Sequence, residues 1–130
     1  MEKYKEISQD SIKKLMDIFY GKIRVDKNGV GDIFNQAIGT SDEAWEAHKR
    51  KIGSFWEGMF LGTGDFKGAP LKAHLDLPPF PREYFEIWIG LFTESLDKVF
   101  EKEAAEMILQ RAQMIRNRFE FMLYDSGYPR

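Results

Sequence analysis

Pro70-Leu71-Lys72-Ala73-His74-Leu75-Asp76-Leu77-Pro78-Pro79-Phe80-Pro81 is the stretch whose reading decides the fold. Proline has no backbone N–H and its ring clashes with the preceding turn, so prolines at both ends leave room for only a turn or two of helix. A histidine on so short an element is held in place. The chain contains two histidines, His48 and His74, each on the apolar side of an aromatic-rich helical segment. A core-facing histidine is most often a hydrogen-bonded packing residue. Two of them in such neighbourhoods point instead to a ligand role.

Outward from this segment, apolar residues recur at helical spacing in four long stretches, and no alternating segment predicts a strand, so the fold class is all-α. The first stretch follows Ser8 and places Ile12, Leu15, Met16, Phe19, Tyr20 and Ile23 on one face until Asp26-Lys27-Asn28-Gly29 breaks it. Tyr20 therefore faces inward. A short Asp32-Ile33-Phe34 segment follows, and Thr40 with Glu43 predicts a capping box. The next helix presents Trp45, His48, Ile52, Phe55, Trp56 and Met59, and ends at Gly62-Thr63-Gly64. After Pro81, the residues Tyr84, Phe85, Trp88, Leu91, Phe92, Leu96 and Val99 make a helix apolar round much of its circumference, which should be central. A last helix, Glu103 to Tyr124, carries Ala105, Ile108, Leu109, Ala112, Ile115, Phe119 and Met122. No repeat, low-complexity tract or linker interrupts the 130 residues, which suit one compact domain.

Composition narrows the function. The 19 basic and 21 acidic residues are mixed along the chain, so no basic face is concentrated enough for nucleic acid. In the one basic cluster, His48-Lys49-Arg50-Lys51, helical geometry points the members in different directions. No apolar run near the N-terminus has the length of a signal peptide or membrane span, so a cytoplasmic protein without a membrane partner is expected. Cysteine is absent, which removes disulfides, thiolate metal sites and cysteine nucleophiles. The high aromatic share, 15%, suits either a Phe-rich core or the lining of something flat and apolar.

Several motifs fail on geometry. Asp26-Lys27-Asn28-Gly29-Val30-Gly31-Asp32 starts like a calcium loop, but Val30 replaces an oxygen ligand and Ala37 stands at the terminal glutamate position, so a turn is expected. Gly62-Thr63-Gly64 with Gly68 has the wrong last interval for a dinucleotide fingerprint and no preceding strand. The histidines are too far apart in sequence for a zinc site, and no serine lies in a strand-to-helix elbow. What fits is haem: one histidine on a short element supplying an axial nitrogen to iron, with side chains of long helices enclosing the porphyrin. The other reading is a haem-free helical protein–protein interaction module whose aromatic stripe docks a partner helix, His48 and His74 then being replaceable packing residues.

Phe19-Tyr20, Ile33-Phe34, Trp45 with His48, Phe55-Trp56, His74-Leu75-Asp76-Leu77-Pro78-Pro79-Phe80-Pro81 and Trp88 carry a specific resemblance. Over Ser8 to Tyr124 the chain resembles the truncated haemoglobins, and among their three groups it is most similar to group III. Its spaced glycines suit that group, whereas Gly31-Asp32 stands where the family often has Gly-Pro. The resemblance implies a single truncated globin domain over residues 1–130, a two-over-two helical sandwich around one haem b, iron protoporphyrin IX. It implies His74 as the proximal iron ligand, Tyr20, His48 and Trp88 as distal residues, and Phe34 packed on the haem. Ile52 would line the distal side, and Phe55 and Leu71 complete the haem-lining set. Lys51, one turn after His48, either meets a haem propionate or is solvated.

The Tyr20 hydroxyl and Trp88 indole N–H are donors that would stabilise negative charge on an iron-bound ligand; the alternative is that they turn to backbone carbonyls. His48 either bonds the ligand or swings to gate access. Slow ligand release and an expected monomer argue against bulk oxygen transport. The implied ligands are dioxygen, nitric oxide, carbon monoxide, cyanide and peroxide. Peroxidase-like or nitric oxide detoxifying turnover would need an external reductase.

Overall fold

The computed structural model describes residues 2–63 and 80–126. Helix α1, Gln9–Val25, begins where Ser8 accepts from the Ser11 amide and the Ser11 side chain accepts from the Ser8 amide, a reciprocal cap that satisfies two amide donors. Its inward face is the expected one: Ile12, Leu15, Met16, Phe19, Tyr20 and Ile23 are each at most 5% exposed. The break at Asp26 is a turn built by that carboxylate, whose Oδ2 accepts from the amides of Asn28, Val30 and Gly31 at 3.0, 3.2 and 3.4 Å. These amides include free donors of the next helix, so Asp26 caps it from four residues upstream.

That helix, α2, spans Val30–Ile38 and is longer than the Asp32-Ile33-Phe34 segment expected. Its N-cap, Gly29, has φ 107°, a left-handed conformation that glycine adopts without steric cost. Helix α3, Asp42–Leu61, is capped by Ser41, whose hydroxyl accepts from the Ala44 amide at 3.1 Å. The expected Thr40–Glu43 capping box therefore does not form. The helix starts one residue later than that box requires, and the Thr40 carbonyl is engaged by Arg24 Nη2 at 2.7 Å. Arg24 also pairs with Asp42 at 2.8 Å, tying the end of α1 to the start of α3. Gly62 at φ 69° ends α3 in a left-handed cap.

Helix α4 spans Tyr84–Val99, and α5, Lys102–Glu120, runs on into a wide π-helical turn, Phe121–Asp125. The wide turn rotates the inward face by one position: Leu123 is 6% exposed, while Met122, expected inside, is half-buried. An i→i+5 turn takes up one more residue than an α turn, which is the shift seen. Among the described residues there is no strand; an isolated bridge joins Tyr4 to Phe100 through Tyr4 N to Val99 O (2.8 Å) and Glu101 N to Tyr4 O (2.9 Å).

Helix α1 packs on α3, α4 packs on α5, and α1 also lies against α4, which joins the two pairs; α2 bridges α1, α3 and α4. The central place expected of α4 follows from its packing against α1, α2 and α5, with Phe92, Leu96 and Val99 buried. Its one deeply buried hydroxyl, Ser95, donates to the Leu91 carbonyl at 2.8 Å. Among the described residues no helix is long and apolar enough to cross a membrane.

Candidate functional site

The helix pairs enclose a cavity of about 1000 Å³, counted out to its open mouth. Phe19 and Tyr20 enter from α1, Ile33 and Phe34 from α2, His48, Ile52, Phe55 and Trp56 from α3, and Trp88 and Phe92 from α4. His48, Ile52 and Trp56, like Trp88 and Phe92, are four residues apart, as one helical face requires, while Phe19–Tyr20, Ile33–Phe34 and Phe55–Trp56 are sequence neighbours. Six residues singled out in the sequence therefore converge here: Tyr20, Phe34, His48, Ile52, Phe55 and Trp88.

Tyr20 and His48 are the closest polar pair, their rings 4.8 Å apart and edge to face at 89°. Phe34 flanks both, 6.2 Å from Tyr20 and 6.3 Å from His48. Trp88 closes another wall, 5.4 Å from Phe19 and edge-on to it. Burial pushes the Tyr20 phenol well above its ordinary value of 10.0, because charge on a phenolate would be stranded away from water. The group is thus an O–H donor. Trp45, by contrast, spends its indole N–H on the Gly39 carbonyl at 2.9 Å and carries the Arg24 guanidinium 5.6 Å above its ring.

No protein-family model matches the chain. Over 125 residues it is 62% identical to a Group 3 truncated hemoglobin of Campylobacter jejuni subsp. jejuni serotype O:2, covering 96% of this chain and 98% of that protein. A crystal structure of group III truncated hemoglobin from Campylobacter jejuni superposes with a TM-score of 0.94 at 60% identity, over 98% of this chain and 100% of that one. The chain belongs to the group III truncated haemoglobins.

Its architecture is accordingly the two-over-two truncated globin fold, and the protein is a haem globin. The residues present fit that cofactor class. The cavity lining is almost entirely ring and hydrocarbon surface, which suits a flat macrocycle, with a few polar ends converging from Tyr20, His48, Trp88, Tyr84 and Arg116. The Tyr20 phenol, held protonated by burial, matches as a donor, with the His48 imidazole edge-on beside it.

Two residues expected at the site of this globin, His74 and Leu71, lie outside the described residues. Lys51 is exposed and is not among the residues lining the cavity. Its neighbour Lys49 is the largely covered cation of the basic cluster, paired with Asp17 at 3.0 Å and Glu46 at 2.6 Å.

Sequence reasoning did not assign Phe80, Tyr84, Phe85, Ile115, Arg116 and Phe119 to the cavity, which they also line. Phe80/Tyr84 and Ile115/Phe119 are spaced by four residues, a signal indistinguishable from ordinary core packing. Arg116 enters beside them because Glu120 holds its Nε at 2.8 Å and Glu86 takes its Nη2, so the cation is neutralised and its stem lies along the wall. Arg82 extends this network, bonding Glu120 at 3.0 Å and Asp125 at 3.1 Å, while the Tyr124 hydroxyl donates to the Phe80 carbonyl at 2.7 Å.

Proposed function

We propose that this globin holds haem b through His74 and retains a small ligand under the Tyr20 hydroxyl, in a redox or ligand-handling role rather than bulk oxygen transport. The observation that carries the reading is the buried, protonated Tyr20 phenol in the same cavity as His48 and Trp88. When bound, haem supplies an iron at which dioxygen, nitric oxide, carbon monoxide, cyanide or peroxide can be held.

The chain's own groups then divide the work. Tyr20 donates its hydroxyl proton into a hydrogen bond in a pocket where low dielectric strengthens it. The Trp88 indole N–H is a second donor, unable to accept. His48, edge-on to Tyr20, can bond the same ligand or rotate away to open the path. Phe34, Ile52 and Phe55 exclude water, and Leu71 is the residue proposed to complete the contact with haem. Lys51, on the exposed face of α3, is the residue proposed to meet a haem carboxylate. Turnover of nitric oxide or peroxide draws its electrons from an external reductase, and the protein works as a cytoplasmic monomer.

Absorption spectra of the protein with haemin, in ferric, dithionite-reduced and carbon monoxide-bound forms, test this. A saturable Soret band that collapses in His74→Ala, with faster dioxygen release in Tyr20→Phe at unchanged haem content, supports the reading. No saturable Soret band in the wild-type protein overturns it.

A further inference from the structure

Trp45 is buried behind the cavity wall. Its ring meets Tyr20 at 6.3 Å and His48 at 6.5 Å, yet it is not among the residues that line the cavity. Three separate contacts hold that ring. Its indole N–H donates to the Gly39 carbonyl at 2.9 Å. Gly39 has φ 114° and ψ −179°, a region closed to most side-chain-bearing residues, so glycine is what aims this carbonyl at the indole. The Arg24 guanidinium lies 5.6 Å over the ring, and that cation is itself fixed by the Asp42 carboxylate at 2.8 Å and the Thr40 carbonyl at 2.7 Å.

A tryptophan that only fills core needs one partner for its N–H. Here a cation from the last turn of α1, a carbonyl from the end of α2 and a carboxylate from the first turn of α3 converge on one ring. Trp45 and His48 are three residues apart on α3 and share a face, so fixing the first ring limits the second. His48 is thereby boxed by Tyr20 at 4.8 Å, Phe34 at 6.3 Å and Trp45 at 6.5 Å.

We propose that Trp45, clasped by Arg24, is a positioning residue that sets how far His48 turns away from Tyr20, and so how readily a small ligand reaches the haem. The inference rests on the reading of the cavity as the haem site. Neither Arg24 nor Trp45 lines the cavity, so the clasp acts only through the rings in front of it. With Trp45 pinned, His48 is held edge-on to Tyr20. With the clasp loosened, His48 gains room behind it and the path is open for more of the time.

The experiment is carbon monoxide rebinding to the haem-loaded, dithionite-reduced protein after flash photolysis, with the infrared C–O stretch recorded on the same samples. The stretch responds to the polar group facing the bound ligand, so it separates a displaced His48 from a fold that is merely weaker. Arg24→Met keeps the stem and removes the cation, and Trp45→Phe keeps a ring and removes the N–H. Each should associate with carbon monoxide about two- to fivefold faster, the change that a partly exposed cation–π contact is worth, and should show a second C–O band gaining intensity. Arg24→Lys, which keeps a cation over the ring, should stay closer to wild type in both readouts. In a His48→Leu background Arg24→Met and Trp45→Phe should change neither the rate nor the bands.

Unchanged rates and bands, slower association, or changes of equal size in the His48→Leu background overturn the inference. A change in Trp45→Phe alone overturns the part assigned to Arg24. If carbon monoxide binds at haem in every variant and neither readout moves, the inference fails and the haem reading stands. If the wild-type protein binds no haem, both fail.

Discussion

The Tyr20 and His48 rings meet edge to face, 4.8 Å between centroids, because α1 packs along α3 with Tyr20 and His48 on the facing sides. Neither residue could place the other from its own helix. The contact puts a phenol and an imidazole against a shared apolar space, and the ligand chemistry is built on that pairing.

Replacing Tyr20 by Phe keeps the ring and removes the donor. A hydrogen bond to a charged partner contributes about 1.5–3 kcal/mol net, so dioxygen should leave about 10- to 100-fold faster. Stopped-flow displacement of dioxygen by carbon monoxide measures this. An unchanged off-rate with intact haem would show that the hydroxyl is not the stabilising donor.

Tyr20 also makes stability depend on pH on the alkaline side. Its folded-state value lies above the unfolded value near 10.0, so the unfolded chain loses its proton first and the native state binds more protons. The stabilisation is complete below pH 10 and is lost as pH rises toward the folded value, at about 1.4 kcal/mol per pH unit. Urea unfolding of wild type and Tyr20→Phe at pH 8 through 11 should show the wild type falling relative to the variant only above pH 10.

Gly29→Ala should destabilise the apoprotein by about 3 kcal/mol, combining a non-glycine residue at positive φ with a steric clash. The φ of 107° is one cause, and overlap of the new Cβ with the Tyr84 hydroxyl is the other. Adding Tyr84→Phe removes the colliding oxygen and should recover part of the loss. Denaturant midpoints of the four proteins in the double-mutant cycle check the coupling, which should be absent if the two residues act independently.

Asp26→Ala should cost about 1 kcal/mol, the usual scale for losing a helix cap, because the amides of Asn28, Val30 and Gly31 lose their shared acceptor. Hydrogen exchange should then show α2 opening before α1. Uniform loss of protection would mean that the turn is not a local unit.

Glu120→Gln should destabilise by roughly 1–2 kcal/mol, since this largely covered carboxylate serves both Arg82 and Arg116. Asp125→Asn, at a more exposed pair, should cost less than about 1 kcal/mol. Thermal melts at low and high salt check both, the second deficit shrinking more with salt.

The inward faces of α1, α3 and α4 were legible because helical periodicity is local: residues three and four apart share a face whatever the helix later meets. Tyr20 and His48 could thus be placed inside before any contact was known. Details that depend on competition between partners were not legible. Ser41 caps α3 in place of Thr40, whose carbonyl serves Arg24 from a different helix. Leu123 replaces Met122 in the core at a wide turn flanked by the Tyr124–Phe80 and Arg82–Asp125 bonds, each spanning more than forty residues of sequence.

The same division holds for the site. Chain order alone sets which side chains are donors, which are rings, and on which helical face each stands, because those properties belong to a residue and its near neighbours. The meeting of Tyr20 with His48, the stacking of Trp88, Phe92 and Trp56, and the separation of Trp45 beneath Arg24 belong to the packed molecule. They depend on distances between helices remote in sequence, which are set by how the apolar faces interlock, and no local pattern encodes those distances.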